Sequence, residues 1–142
     1  MVRVIGWDIG GANVKAARLA FNSGRAGSGR VVRRYFEIWK DKAGLRPLLE
    51  EIQKELGSAD AMEVTMTGEL ADVFRDRAEG VGFILQATRE AAFGTPLYAV
   101  DRHGRLAPLD GDEVDLLTFA ATNWIAEALV LADRRRDCLM VD

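Results

Sequence analysis

Val2-Arg3-Val4-Ile5-Gly6-Trp7-Asp8-Ile9-Gly10-Gly11-Ala12-Asn13-Val14-Lys15 stands at the start of the chain, and its reading decides the fold. Val2 to Trp7 has the apolar, β-branched content of a buried strand. Asp8-Ile9-Gly10-Gly11-Ala12-Asn13 then marks a tight turn, because glycine tolerates positive φ without a Cβ clash. Val14 to Phe21 returns to β-compatible residues. A Walker or Rossmann glycine loop opens a helix; here a strand follows, so neither is present. Two readings of the turn stand side by side. In one, its glycines only satisfy hairpin geometry. In the other, Asp8 holds Mg²⁺ or a water, and the Gly10 and Gly11 amides face phosphate oxygens. Asn13 then adds a side-chain amide, and Lys15 points to the same side as Asn13.

Downstream, Asn22 to Arg30 reads as a Gly/Ser/Arg loop and Val31 to Trp39 as a third strand, completing an antiparallel meander. Gly44 to Leu56 places Leu45, Leu48, Leu49, Ile52 and Leu56 on one helical face, stopped by Gly57-Ser58. Ala61 to Thr67 is a strand. Leu70 to Arg77 and Val81 to Phe93 read as helices, the second through Ile84, Leu85, Ala87 and Thr88. Pro96 to Val100 is a strand, turned by Asp101 to Gly104 into a short strand over Arg105 to Leu109. Asp112 to about Arg136 is expected as the longest helix, capped by Asp112, with Val114, Leu117, Thr118, Ala121, Ile125, Ala128, Leu129 and Ala132 at three- and four-residue spacing. Cys138 to Val141 reads as a buried strand. It is either an edge strand or the start of something longer.

Composition narrows the function. The chain has 142 residues with 19 Lys+Arg and 22 Asp+Glu, for a net charge of −3. Nucleic-acid binding needs a dominant basic face, so it is not expected. No apolar run reaches the ~20 residues of a membrane helix, and an early acid excludes a secretory leader. One cysteine and one histidine exclude an internal disulfide, a multi-Cys zinc site and a His-centred triad. The expectation is a cytoplasmic protein whose chemistry uses carboxylates, glycines, lysine and backbone amides. The Arg25, Arg30, Arg33, Arg34 cluster reads as a solvated hairpin before it reads as an anion site. His103 belongs on a surface turn, Cys138, Trp7 and Trp124 in the core, and Arg134-Arg135-Arg136 against a helix C-terminus.

The first motif resembles the first phosphate motif of the actin/Hsp70/sugar-kinase superfamily. Thr65-Met66-Thr67-Gly68-Glu69-Leu70-Ala71-Asp72, Glu79-Gly80-Val81 and Ala120-Ala121-Thr122-Asn123-Trp124 are similar to the hydantoinase/oxoprolinase-related group linked to tetrahydromethanopterin C1 transfer, which includes methanofuran-biosynthesis enzymes. The resemblance implies an α/β, ribonuclease H-like (actin-like ATPase) lobe: a mixed sheet with a three-strand meander, then parallel strands and packing helices. Residues 1–137 form that N-terminal lobe and 138–142 the first strand of a second lobe. It further implies coupling of a furanmethyl diphosphate to a tyramine- or tyrosine-type phenol, with diphosphate released and ATP not required. The implied roles are metal binding by Asp8 and Asp142 with Mg²⁺, and phosphate binding by Gly10, Gly11, Ala12, Asn13 and Lys15. Glu69 and Asp72 activate the phenol or bind an acceptor amine, unless they are merely acids at a helix N-terminus. Asn123 and Trp7 are further substrate contacts. An ATP-dependent small-molecule kinase and a non-catalytic interaction module remain as alternatives. A lone lobe is expected to self-associate, by strand addition at Leu139 to Val141, or to dock its other lobe.

Overall fold

The computed structural model describes residues 1–109, 115–135 and 137–140. Strands β1 (Val2–Ile9), β2 (Asn13–Asn22) and β3 (Arg25–Tyr35) form the meander, and helix α1 (Leu45–Leu56) leads to β4 (Ala61–Met66). Helix α2 (Arg77–Ala91), β5 (Leu97–Val100), β6 (Leu106–Pro108) and α3 (Asn123–Arg134) follow. The six strands form one sheet in the order β3-β2-β1-β4-β5-β6. β1 pairs antiparallel with β2 and parallel with β4; β4 and β5 are parallel, and β6 turns back along β5. The sheet is mixed, an antiparallel meander followed by parallel strands, as the resemblance implied.

Strand alternation divides the sheet into two unlike faces. Ile5, Trp7, Ile9, Val14, Ala16, Val32, Met62, Val64 and Met66 are buried on one face. Leu45, Leu49, Ile52 and Leu56 of α1, one helical stripe, join the same core cluster, as do Val81, Ile84 and Leu85 of α2. The other face presents Gly6, Asp8, Lys15, Ala17, Val31, Glu63 and Thr65 to α3 across a cleft.

Several expectations need correction. The Asn22–Arg30 loop is a two-residue turn, Ser23-Gly24, between strands that continue on both sides. Gly24 supplies positive φ there, whereas neither Gly10 nor Gly11 does. Leu70 to Arg77 is no helix: a 3-10 turn at Gly68–Leu70 gives way to extended backbone at Ala71, and α2 begins at Arg77 on an Asp76 cap. The long last helix is divided. Leu116–Phe119 is a 3-10 turn, Ala121 takes φ +52°, and α3 starts only at Asn123. The expected cap Asp112 and the stripe member Val114 lie outside the described residues, as do Arg136, Val141 and the candidate ligand Asp142. No α3 residue is buried, and Trp124, read as core, is exposed. Cys138 is exposed too, and Cys138 to Met140 pair with no strand of the sheet.

Two glycines in α2 differ in their surroundings. A Cβ on Gly80 would lie 2.7 Å from the Glu69 Cα and 2.8 Å from its carbonyl oxygen, whereas one on Gly82 would meet only the Leu116 Cδ1, at 3.3 Å. Alanine raises helix propensity by about 1 kcal/mol at either site. Gly82→Ala is therefore expected to be neutral or stabilising. Gly80→Ala should lose about 1–3 kcal/mol through overpacking against backbone, read as a lower Tm in thermal unfolding.

Candidate functional site

Register assembles the site. Asp8 of β1 faces Thr65 of β4 on one side and Lys15 of β2 on the other, and Lys15 in turn faces Arg33 of β3. Thr65, Asp8, Lys15 and Arg33 thus form one row across four strands. Lys15 Nζ lies 2.9 Å from Asp8 Oδ2. Asp8 Oδ1 is buried and has no hydrogen-bond donor among the described residues. Arg33 donates to Asn13 Oδ1 at 3.3 Å. The Lys15–Asp8 pair is half-exposed on the lysine side, so it contributes little net stability and separates easily.

The turn lies at the carboxyl end of β1, beside that of β4, where ligands of open α/β sheets bind. The Gly10 N–H is spent within the turn, on the Asn13 carbonyl at 2.9 Å. Gly10 is therefore not the phosphate donor that the sequence suggested. Its lack of a side chain serves packing, since a Cβ would press the Asn13 carbonyl at 3.1 Å. Gly11 differs. A Cβ there meets nothing within 4 Å, so the bare backbone is open to approach. The Gly11 and Ala12 carbonyls accept from Ile38 and Phe36, while their N–H groups have no acceptor among the described residues. Two anchored peptide units thus present unspent donors in the turn that follows the strand bearing an orphaned carboxylate oxygen. An anion suits the donors and a cation suits Asp8.

The other predicted residues divide. Asn123, at the first turn of α3, lines the cleft. Trp7 is only 2% exposed and belongs to the core cluster with α1 and α2, so although it is part of the cleft lining it offers little surface there. Asp72 is exposed and outside the cleft lining. Glu69 is buried among Gly80 and Ala121, and its Oε1 accepts the Ala121 N–H at 2.7 Å. Its Oε2 has no hydrogen-bond partner among the described residues, and burial raises its pKa. Glu69 therefore fixes the chain before α3 rather than facing a phenol. The arginine cluster also separates: Arg30 and Arg34 pair with Glu55 of α1, and only Arg33 joins the site.

Sequence reading missed Glu63 and Thr67. Thr67 closes the turn from the β4 side, donating its N–H to the Ile9 carbonyl at 3.1 Å, with its Oγ1 3.6 Å from where a Gly10 Cβ would stand. Glu63 lies two residues before Thr65 and so on the same face; the alternation of Ala61-Met62-Glu63-Val64-Thr65-Met66 carries that signal. Burial pushes the Glu63 carboxyl above its ordinary range.

The chain is 32% identical over 142 residues to the (4-{4-[2-(gamma-L-glutamylamino)ethyl]phenoxymethyl}furan-2-yl)methanamine synthase of Methanocaldococcus jannaschii. The two are homologues over that stretch. The match takes in 99% of this chain and 40% of the synthase, so the chain spans well under half the length of its relative. No family model matches. Among solved structures, RuvC from T. thermophilus, in complex with a Holliday junction substrate, is 27% identical with TM-score 0.46, covering 70% of this chain and 64% of that one. The Aquifex aeolicus PPX-GPPA enzyme is 15% identical with TM-score 0.47, covering 71% and 37%. No described helix is long and apolar enough to cross a membrane.

Glu69 yields a pH prediction. A carboxyl whose folded-state pKa is raised contributes most stability below its unfolded pKa and loses it as pH rises through the folded value. Glu69→Gln keeps an acceptor for Ala121 and removes the charge. Its Tm should exceed that of the parent at pH 7 and converge with it near pH 4. Glu69→Ala should unfold earlier at both pH values, because it orphans the Ala121 N–H and opens a cavity.

Proposed function

We propose that this chain carries the diphosphate-gripping part of a transferase of methanofuran biosynthesis, acting on a furanmethyl diphosphate and a tyramine- or tyrosine-type phenol. The observation that carries the reading is the presence of unspent Gly11 and Ala12 N–H groups in the turn that joins the two strands bearing the Asp8–Lys15 pair. The homology supports it, because the relative's name describes a phenoxymethyl-furan ether, the bond such a coupling makes. In that coupling the phenol oxygen bonds the furan methylene carbon. The carbon–oxygen bond to diphosphate breaks, the diphosphate leaves with the bonding electrons, and the phenol's proton passes to the departing diphosphate or to water.

The residues then act by electrostatics. Gly11 and Ala12 donate to phosphate oxygens from backbone already anchored by Phe36 and Ile38, so little reorganisation accompanies binding. Lys15 exchanges a weak pair with Asp8 for a phosphate oxygen, and Arg33 stands next to it in register. Asn13, whose Oδ1 is held by Arg33, orients the leaving group. The orphaned Asp8 Oδ1 fits a divalent cation held through one carboxylate, directly or through water. Mg²⁺ bound there would supply positive charge against the leaving diphosphate. Among the described residues no group of three His, Cys, Asp or Glu forms a metal cage. Such a cation would therefore keep waters and phosphate oxygens among its ligands.

Titration of the chain with magnesium pyrophosphate, followed by amide NMR, tests this. The Gly11 and Ala12 resonances should shift most. Lys15→Met should weaken binding by about tenfold, equivalent to about 1.4 kcal/mol, and Asp8→Asn should remove the dependence on magnesium. Unmoved Gly11 and Ala12 resonances at saturating pyrophosphate would refute the assignment. Phosphate transfer from ATP to a small molecule, with no diphosphate release from a furanmethyl diphosphate, would replace it with a kinase.

A further inference from the structure

Glu63 has no role in the reading above, and its placement asks for one. It pairs in register with Gly6 of β1 and Tyr98 of β5 and lines the cleft between the sheet and α3, a space of about 570 Å³. Around it the walls are largely apolar: Ala17, Val31, Ala126 and Val130. A Cβ on Gly6 would stand 3.4 Å from the Glu63 Oε2, so glycine at that position leaves the carboxylate its room. No ion pair or hydrogen-bond donor reaches Glu63 among the described residues. The carboxylate of Asp8, by contrast, has Lys15. Glu127, also on the cleft wall, is exposed to water and is correspondingly screened. A partly buried, unpaired carboxylate among apolar side chains is unfavourable until a cation joins it.

We propose that Glu63 is a specificity residue that binds the primary ammonium group of a furan-methanamine substrate. This rests on the diphosphate reading only for the direction in which the substrate lies. Glu63 and Thr65 are two residues apart along β4, about 7 Å, and Thr65 stands in the Asp8–Lys15 row. A furan ring with one methylene arm on each side is of comparable length. The phosphate-bearing arm then meets the charged row, the ring lies over Gly6 and Ala17, and the aminomethyl arm reaches Glu63. A primary amine is protonated at neutral pH, so the pair is a charge-assisted hydrogen bond in a cleft with largely apolar walls. Neutral furans lacking the amine would leave Glu63 unpaired, and the site discriminates against them for that reason.

Furfurylamine and furfuryl alcohol, nearly equal in shape and different in charge, serve as probes. With the chain as it stands, furfurylamine should bind more tightly than the alcohol, with shifts at Gly6 and Glu63 in amide NMR. Glu63→Gln should weaken the amine by about tenfold and leave the alcohol and magnesium pyrophosphate unchanged. A Tm for the variant equal to or above the parental one at pH 7 shows that it is folded. Equal amine affinity in parent and Glu63→Gln overturns the proposal, as does a parent that binds no furfurylamine at millimolar concentration. So does a loss that appears in Glu127→Gln instead. If Glu63→Gln loses the amine while pyrophosphate leaves the turn unmoved, the diphosphate reading fails and the Glu63 subsite stands. If pyrophosphate moves the turn and Glu63→Gln changes nothing, the reverse holds.

Discussion

β1 is bonded along both edges, antiparallel to β2 and parallel to β4, and everything at the site follows from that double pairing. A strand with two partners cannot slip in register, since a shift of one residue would send Ile5, Trp7 and Ile9 to the cleft and Asp8 into the core. Thr65, Asp8, Lys15 and Arg33 come from four different strands. Hydrophobic burial on the opposite face holds them in line. The core beneath α1 and α2 is thus what fixes the electrostatics above it.

The first turn shows how one glycine pair serves two ends. Gly10 is consumed by packing: its amide closes the turn, and its missing Cβ lets the Asn13 carbonyl and Thr67 come near. At Gly11 a Cβ would meet nothing within 4 Å, and its N–H has no acceptor among the described residues. The Phe36 and Ile38 amides bond the Ala12 and Gly11 carbonyls from behind, so the donors are held in place without being used. Donors held in this way are preorganised, so little entropy is lost when an acceptor meets them.

Much of this was legible in the sequence. The strand–turn–strand opening, the amphipathic stripe of α1 and the position of Asp8 at a strand end follow from local pattern alone. The division of the arginine cluster did not, because which face Arg33 takes depends on its register with Lys15 and on Glu55 of α1. The break before α3 was also hidden. The apolar spacing from Leu117 to Ala132 suits one continuous helix, yet Ala121 takes a left-handed conformation, unfavourable for alanine by about 1–2 kcal/mol. A contact 52 positions away in sequence sustains it, the Glu69 carboxylate on the Ala121 N–H. No window of local sequence contains that information.

That contact also explains why a buried acid follows β4. The segment Thr67 to Leu70 touches both sides of the site. Thr67 donates to the Ile9 carbonyl, and a Cβ on Gly68 would lie 3.1 Å from the Gly10 and Ile9 carbonyl oxygens, so glycine permits the close approach. One residue later, Glu69 packs on Gly80 and holds Ala121, two residues before Asn123 enters the cleft. An apolar residue at Glu69 would fill the space with no desolvation penalty, but it would leave the Ala121 amide without an acceptor and α3 without a fixed start. A short stretch of backbone thereby sets the first turn and the cleft's far wall relative to each other. The unfavourable burial of one carboxylate oxygen is what that coupling requires.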